Sequence, residues 1–134
     1  MTTTTMRSAL LASLLSTTAY PAAAIDTRDL NRVADRGNQG LPRMVATNLR
    51  QERIEVDGMT VVYLYTHLAL DSTQLRELRL EATQRPFILP QLCAASDTGR
   101  MLREGVKFRY VYRGRDGAVG GDMVVAQSDC RDVR

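Results

Sequence analysis

Few residues in this chain have the type and spacing to do chemistry. His67 is its only histidine. With Thr66, Asp71 and Ser72 close by in sequence, it is the one candidate for the general base of a small hydrolase. Such a base also needs a nucleophile and an orienting acid in space, and nearness in sequence does not supply that geometry. A lone imidazole without thiolates at ligand spacing gives no metal site. Gly117, Gly120 and Gly121 follow no dinucleotide or phosphate-loop pattern and lead into a strand, so they read as a hairpin turn and a bulge. The expectation is a protein with no catalytic residue, no metal and no cofactor.

Binding is the better prospect. Lys107, Arg109 and Arg113 alternate along one strand, and Arg115 lies in the adjoining turn. They are the candidate binding surface, against the plainer reading of a solvated sheet face. Tyr63, Tyr65, Tyr110 and Tyr112 are alternate residues on two strands. Exposed, they would be a platform for sugars, peptides or bases; the favoured reading places them in the core or at its rim. Of the 18 basic residues only Lys107 is not arginine. Arginine suits bidentate recognition of carboxylate or phosphate, but codon bias explains the excess more simply. The formal net charge is +3, too balanced for the basic stripe that nucleic acid requires.

Two cysteines, Cys93 and Cys130, complete the inventory. Their reading depends on where the chain goes. Arg7 followed by Ala9-Leu10-Leu11-Ala12-Ser13-Leu14-Leu15 is the start of a secretory signal, and Tyr20-Pro21 breaks its helix. Ala22 and Ala24 are the small residues that a signal peptidase reads, so cleavage before Ile25 is expected. Residues 1–24 are then removed and residues 25–134 form one domain. The cleavage region has no cysteine for a lipid anchor, and no later stretch reaches the roughly 20 apolar residues that span a bilayer. Export places both thiols in an oxidising compartment, periplasmic or extracellular, where an even count reads as a bridge. A loop of about 37 residues would contribute roughly 4 kcal/mol in the chain-entropy model.

The elements that position these residues follow from the apolar pattern. Asp26 caps a helix with Leu30, Val33 and Ala34 on one face, stopped by Gly37-Asn38-Gln39-Gly40. Residues 49–56 and 59–68 read as a hairpin about Asp57-Gly58, the second strand apolar on both faces and therefore central. Asp71 with Gln74 is a capping box for a helix whose stripe is Leu75, Leu78 and Ala82. Leu80 does not fit that stripe, and Pro86 is expected to end or kink the helix. A short helix runs from Asp97 to Arg103. Residues 106–113 and 118–127 form a second hairpin, with Gly120-Gly121 as a bulge or bend. The fold class is α+β, an antiparallel sheet built from two β-hairpins with helices packed on one face and one disulfide.

Several pieces of the mature chain resemble a family of small exported proteins described as quorum-sensing-regulated virulence factors. They are Leu41-Pro42 with Met44-Val45, Gly58-Met59-Thr60 with Tyr63-Leu64-Tyr65, Leu92-Cys93, and Arg103-Glu104-Gly105 with Phe108-Arg109-Tyr110-Val111-Tyr112. Asp116-Gly117 and Asp129-Cys130 complete the set. The resemblance covers about residues 41–130. It implies an α+β domain with the same two-cysteine bridge, and it supplies no reaction and no catalytic residue. The expected function is an exported accessory or interaction protein with an envelope or extracellular protein partner. An inhibitor or immunity-type protein of a secreted enzyme is the alternative, and a hydrolase using His67 the remoter one.

Overall fold

A computed structural model describes residues 23–133. Most of the expected signal segment lies outside the described residues. Helix α1 (Thr27–Asn38) begins at Asp26, whose carboxylate accepts from the N–H groups of Arg28 and Asp29, while Asp29 returns a bond to the Asp26 N–H. This reciprocal capping box satisfies donors that the first turn cannot pair internally. Strands β1 (Arg43–Ala46), β2 (Leu49–Asp57) and β3 (Thr60–His67) then form an antiparallel meander. Asn48 and Gly58 hold the positive φ that the two tight turns need. After helices α2 (Ser72–Glu77), α3 (Leu80–Ala94) and α4 (Ser96–Arg103) come β4 (Lys107–Arg113), β5 (Val119–Val125) and a 3-10 helix, Gln127–Asp132.

The sheet has five strands in the order β1-β2-β3-β4-β5. The α+β class and the central place of β3 are as expected. The antiparallel description needs correction, because β3 and β4 run parallel and because β1 adds a strand before the first predicted hairpin. Arg43–Ala46 is exposed throughout and pairs on one side only, so it lacks the buried alternation that reveals a strand in sequence. The parallel pair arises because the helices between β3 and β4 carry the chain back along the sheet.

The predicted helix from Asp71 is two helices. Arg79 takes a left-handed φ of 49°, a costly conformation for a residue with a Cβ. The chain turns there, so Leu75 is buried whereas Leu78 and Ala82 are exposed. Leu80 fits no stripe of α2 because it opens the next helix. Pro86 does not end α3; the helix runs through both Pro86 and Pro90. The two prolines stand four residues apart on its exposed side, where carbonyls left without a proline N–H can bond to water.

One face of the sheet carries the core. Leu30 of α1, Leu102 of α4, Val61, Val106, Phe108 and Val125 expose no surface. The Cys93–Cys130 bridge ties the end of α3 to the 3-10 helix, with Cα atoms 5.7 Å apart. The outer edge of β5 is closed by arginines: Arg76 donates to the Val119 carbonyl and Arg85 to the Val124 carbonyl, each at 3.1 Å. The 114–117 turn is fixed to α2 by Asp116, which accepts from the Ser72 N–H at 3.1 Å and the Ser72 hydroxyl at 2.7 Å.

Gly120 is the unpaired residue of a bulge opposite Tyr112 and Arg113. A Cβ there would lie 2.5 Å from the Leu75 Cβ and 2.8 Å from the Ser72 carbonyl oxygen. The second contact is backbone and cannot rotate away. Gly120→Ala is therefore expected to lower stability by about 1–3 kcal/mol, measured by denaturant unfolding. Gly117→Ala has open space around it and should show only the smaller cost of its backbone conformation.

Candidate functional site

Parallel register brings the tyrosines of β3 and β4 together. Val61 pairs with Phe108, Tyr63 with Tyr110 and Tyr65 with Tyr112. The rings form an unbroken zigzag, Phe108–Tyr63–Tyr110–Tyr65–Tyr112, with successive centroids 6.3, 5.2, 6.5 and 5.1 Å apart and planes within 24° of parallel. Each such pair contributes about 0.5–1.5 kcal/mol beyond its buried area. Tyr110 and Tyr112 are 8% exposed, and Tyr63 and Tyr65 are half-buried.

The row belongs to the main core cluster, with Tyr63 and Tyr65 at its rim. Helix α1 packs on β2 and α3 on β5. On the central strands between them only Tyr63 and Tyr65 are more than marginally exposed among the rings. Among the described residues no protein hydrogen bond ends on a tyrosine hydroxyl, and no buried side-chain polar atom lacks a partner, so the hydroxyls reach water. Burial pushes all four phenols above their ordinary range, and for Tyr65 and Tyr110 charge on neighbouring phenols would push further. At the Tyr112 end lies a recess of about 210 Å³ lined by Leu49, His67, Leu75, Leu78 and Leu80. Leu78 is 47% exposed at this recess, and Phe87 on α3 is 70% exposed. The sequence readings missed both, because the break at Arg79 and the unbroken run through Pro86 decide which way each side chain faces.

His67 stands in the recess but is occupied. Its Nδ1 accepts from the N–H groups of Ala69 and Leu70 at 3.2 and 3.0 Å. Two donors on Nδ1 place the imidazole proton on Nε2 and hold the turn into α2. Neither Asp71 nor Ser72 orients the ring: Asp71 caps α2, and the Ser72 hydroxyl is given to Asp116.

The basic residues lie on the opposite face, as the alternation with Phe108, Tyr110 and Tyr112 requires. Lys107 and Arg113 are exposed at the two ends of β4, about 20 Å apart at the strand rise. Arg109 between them is held bidentately by Asp122 across the β4–β5 pair, its Nε bond 2.9 Å long. This contact strengthens the hold of the guanidinium on its proton. Arg115 is exposed in the turn, where its N–H donates to the Leu70 carbonyl at 2.8 Å. Arg50 pairs with Glu52 and Arg53 with Glu55. The structure thus spreads the four predicted binding residues along a surface of interleaved opposite charges. At its centre Val62, Leu64 and Val111 form a small separate apolar cluster.

No family model and no curated protein matches the chain. Solved structures share its fold. A Pseudomonas aeruginosa protein described as secreted is 17% identical, with a TM-score of 0.66 over 78% of this chain and 91% of its own. A pilotin of the Vibrio vulnificus type 2 secretion system is 20% identical, with a TM-score of 0.54 over 75% of this chain and 86% of its own. The type II secretion pilotin of Vibrio cholerae is 23% identical, with a TM-score of 0.51 over the same shares. At these identities the likeness is one of fold.

The tyrosine row offers a direct measurement. The chain has five tyrosines, and Tyr20 falls in the expected signal, so a processed protein carries tyrosine only in the row. Unfolded tyrosine ionises near pH 10, whereas the folded row holds its protons beyond that. Above about pH 10 the unfolded state then binds fewer protons than the folded one, and stability falls as pH rises. Ultraviolet absorbance should show phenolate appearing in one steep step together with loss of the circular dichroism signal. Full ionisation near pH 10 with the fold intact would contradict the burial described.

Proposed function

We propose that this protein is an exported accessory factor of the bacterial envelope that holds an apolar segment of a protein partner at the tyrosine row and the recess beside it, without catalysis. The observation that carries the proposal is the row itself. Its rings lie in the core or at its rim, the half-buried Tyr63 and Tyr65 and hydroxyls without a protein partner among the described residues are what it presents, and it ends beside an apolar recess at Tyr112. From Phe108 to Tyr112 the row spans about 13 Å at the strand rise, room for two turns of a helix. An amphipathic helix laid into an apolar groove is a common recognition mode, and tyrosine suits it because a rigid ring and a polar tip serve one contact.

The fold shared with a protein described as secreted and with two secretion-system pilotins supports an envelope role and a secretion-system component as the class of partner. The sequence resemblance to quorum-sensing-regulated virulence factors adds a regulated part in virulence to the proposal. The expected signal segment supports a periplasmic or secreted location.

The test is capture of envelope proteins by the purified mature protein. Leu78→Glu places charge on an exposed position at the recess and should leave the fold intact while reducing capture at least tenfold. Lys107→Glu with Arg113→Glu on the other face should leave capture unchanged. The opposite pattern would move the site to the basic face and overturn the proposal.

A further inference from the structure

Ile25 is the residue at which the expected processed chain would begin, and the structure places its nitrogen with some care. The Ile25 N–H donates to Glu104 Oε2 at 2.8 Å, across 79 positions of sequence. The other carboxylate oxygen, Oε1, accepts from Arg100 at 2.8 Å. Ile25 itself is partly buried against the main core, and the next residue, Asp26, is locked as the cap of α1. Ala23 and Ala24 are exposed and in no helix or strand. The change from free backbone to anchored chain therefore falls at the Ala24–Ile25 bond, the bond that Ala22 and Ala24 mark for cleavage.

We propose that cleavage of this bond creates an α-ammonium at Ile25 that Glu104 captures as an ion pair, so that export processing fastens α1 to the end of α4. In the hydrolysis water adds across the peptide bond. The C–N bond breaks, Ala24 leaves as a carboxylate, and the Ile25 nitrogen becomes an amine that is protonated at neutral pH. An amide N–H offers Glu104 one neutral donor; the ammonium offers a full charge at the same place, and a charge-assisted bond is roughly twice as strong. The carboxylate is ready for it. Arg100 and the Ile25 N–H already hold Glu104 below the ordinary carboxylate range, and of the other charges bearing on it Asp29 of α1 is acidic. One oxygen is committed to Arg100 and the other faces Ile25. The pair is independent of the tyrosine row.

The experiment uses the exported protein. Its N-terminal sequence should begin at Ile25. The α-amine, followed by its labelling rate against pH, should titrate at least half a unit above the ordinary value of about 8. Glu104→Gln keeps a hydrogen-bonding group of the same size and should return the titration to about 8. If that variant fails to fold, the titration of the unaltered protein decides alone. A chain beginning at another residue, or an α-amine titrating at the ordinary value in the unaltered protein, would overturn the proposal.

Discussion

Tyr63 beside Tyr110 and Tyr65 beside Tyr112 are held there by the parallel register of β3 with β4. Most of the molecule is arranged around that pairing. Two parallel neighbours cannot be joined by a tight turn, so residues 68–106 must carry the chain back. They do so as α2, α3 and α4, and the return leaves α3 beside β5 and α4 beside α3. The same constraint brings Cys93 to Cys130, since the crossover ends where β5 runs out. Along the two strands the aromatic rings stack on one another within the core or at its rim, and among the described residues no protein hydrogen bond takes their hydroxyls.

The arginine excess has a structural use that differs from ligand recognition. Arg76 and Arg85 satisfy backbone carbonyls, Arg109 binds Asp122, and Arg100 shares Glu104 with Ile25. A planar guanidinium with several donors can reach a strand edge and a carboxylate at once, as Arg85 does with Val124, Glu81 and Asp129. Composition therefore points to arginine without saying which are free.

Local signals in the sequence were dependable where the physics is local. The hairpin turns where expected, although its two loop residues are Gly58 and Met59 because Asp57 still pairs with Thr60; Asp71 and Gln74 cap α2 reciprocally, and the alternation in 107–113 puts rings on one face and charges on the other. The readings failed where distant packing decides. Nothing near Arg79 announces a left-handed residue; the break there follows from seating Leu75 against Gly120 and Leu80 against Gly121. Pro86 is a helix breaker by propensity, yet it is tolerated on the exposed side of α3. The four tyrosines were legible as alternate residues of two strands in the core or at its rim, where they lie, but the continuity of their row depends on a parallel register that no short-range pattern encodes. Arg109 could be named as a surface residue, but its partner Asp122 lies beyond a turn and one register step short of a bulge.

The two borders of the sheet are unlike. Along β5 the side chains of Arg76 and Arg85 occupy carbonyls that another strand would need. Along β2, where β1 stops, Asn38 pairs with both the N–H and the carbonyl of Ile54, at 2.7 and 2.8 Å. Among the described strands this leaves β1, four residues long and interrupted by a bulge, as the open border. Endless edge-to-edge growth needs two complementary free borders on every molecule. Side chains already occupy backbone groups on β5 and on β2 at Ile54 that an added strand would need, so β1 is the border at which strand-to-strand pairing of this protein would begin.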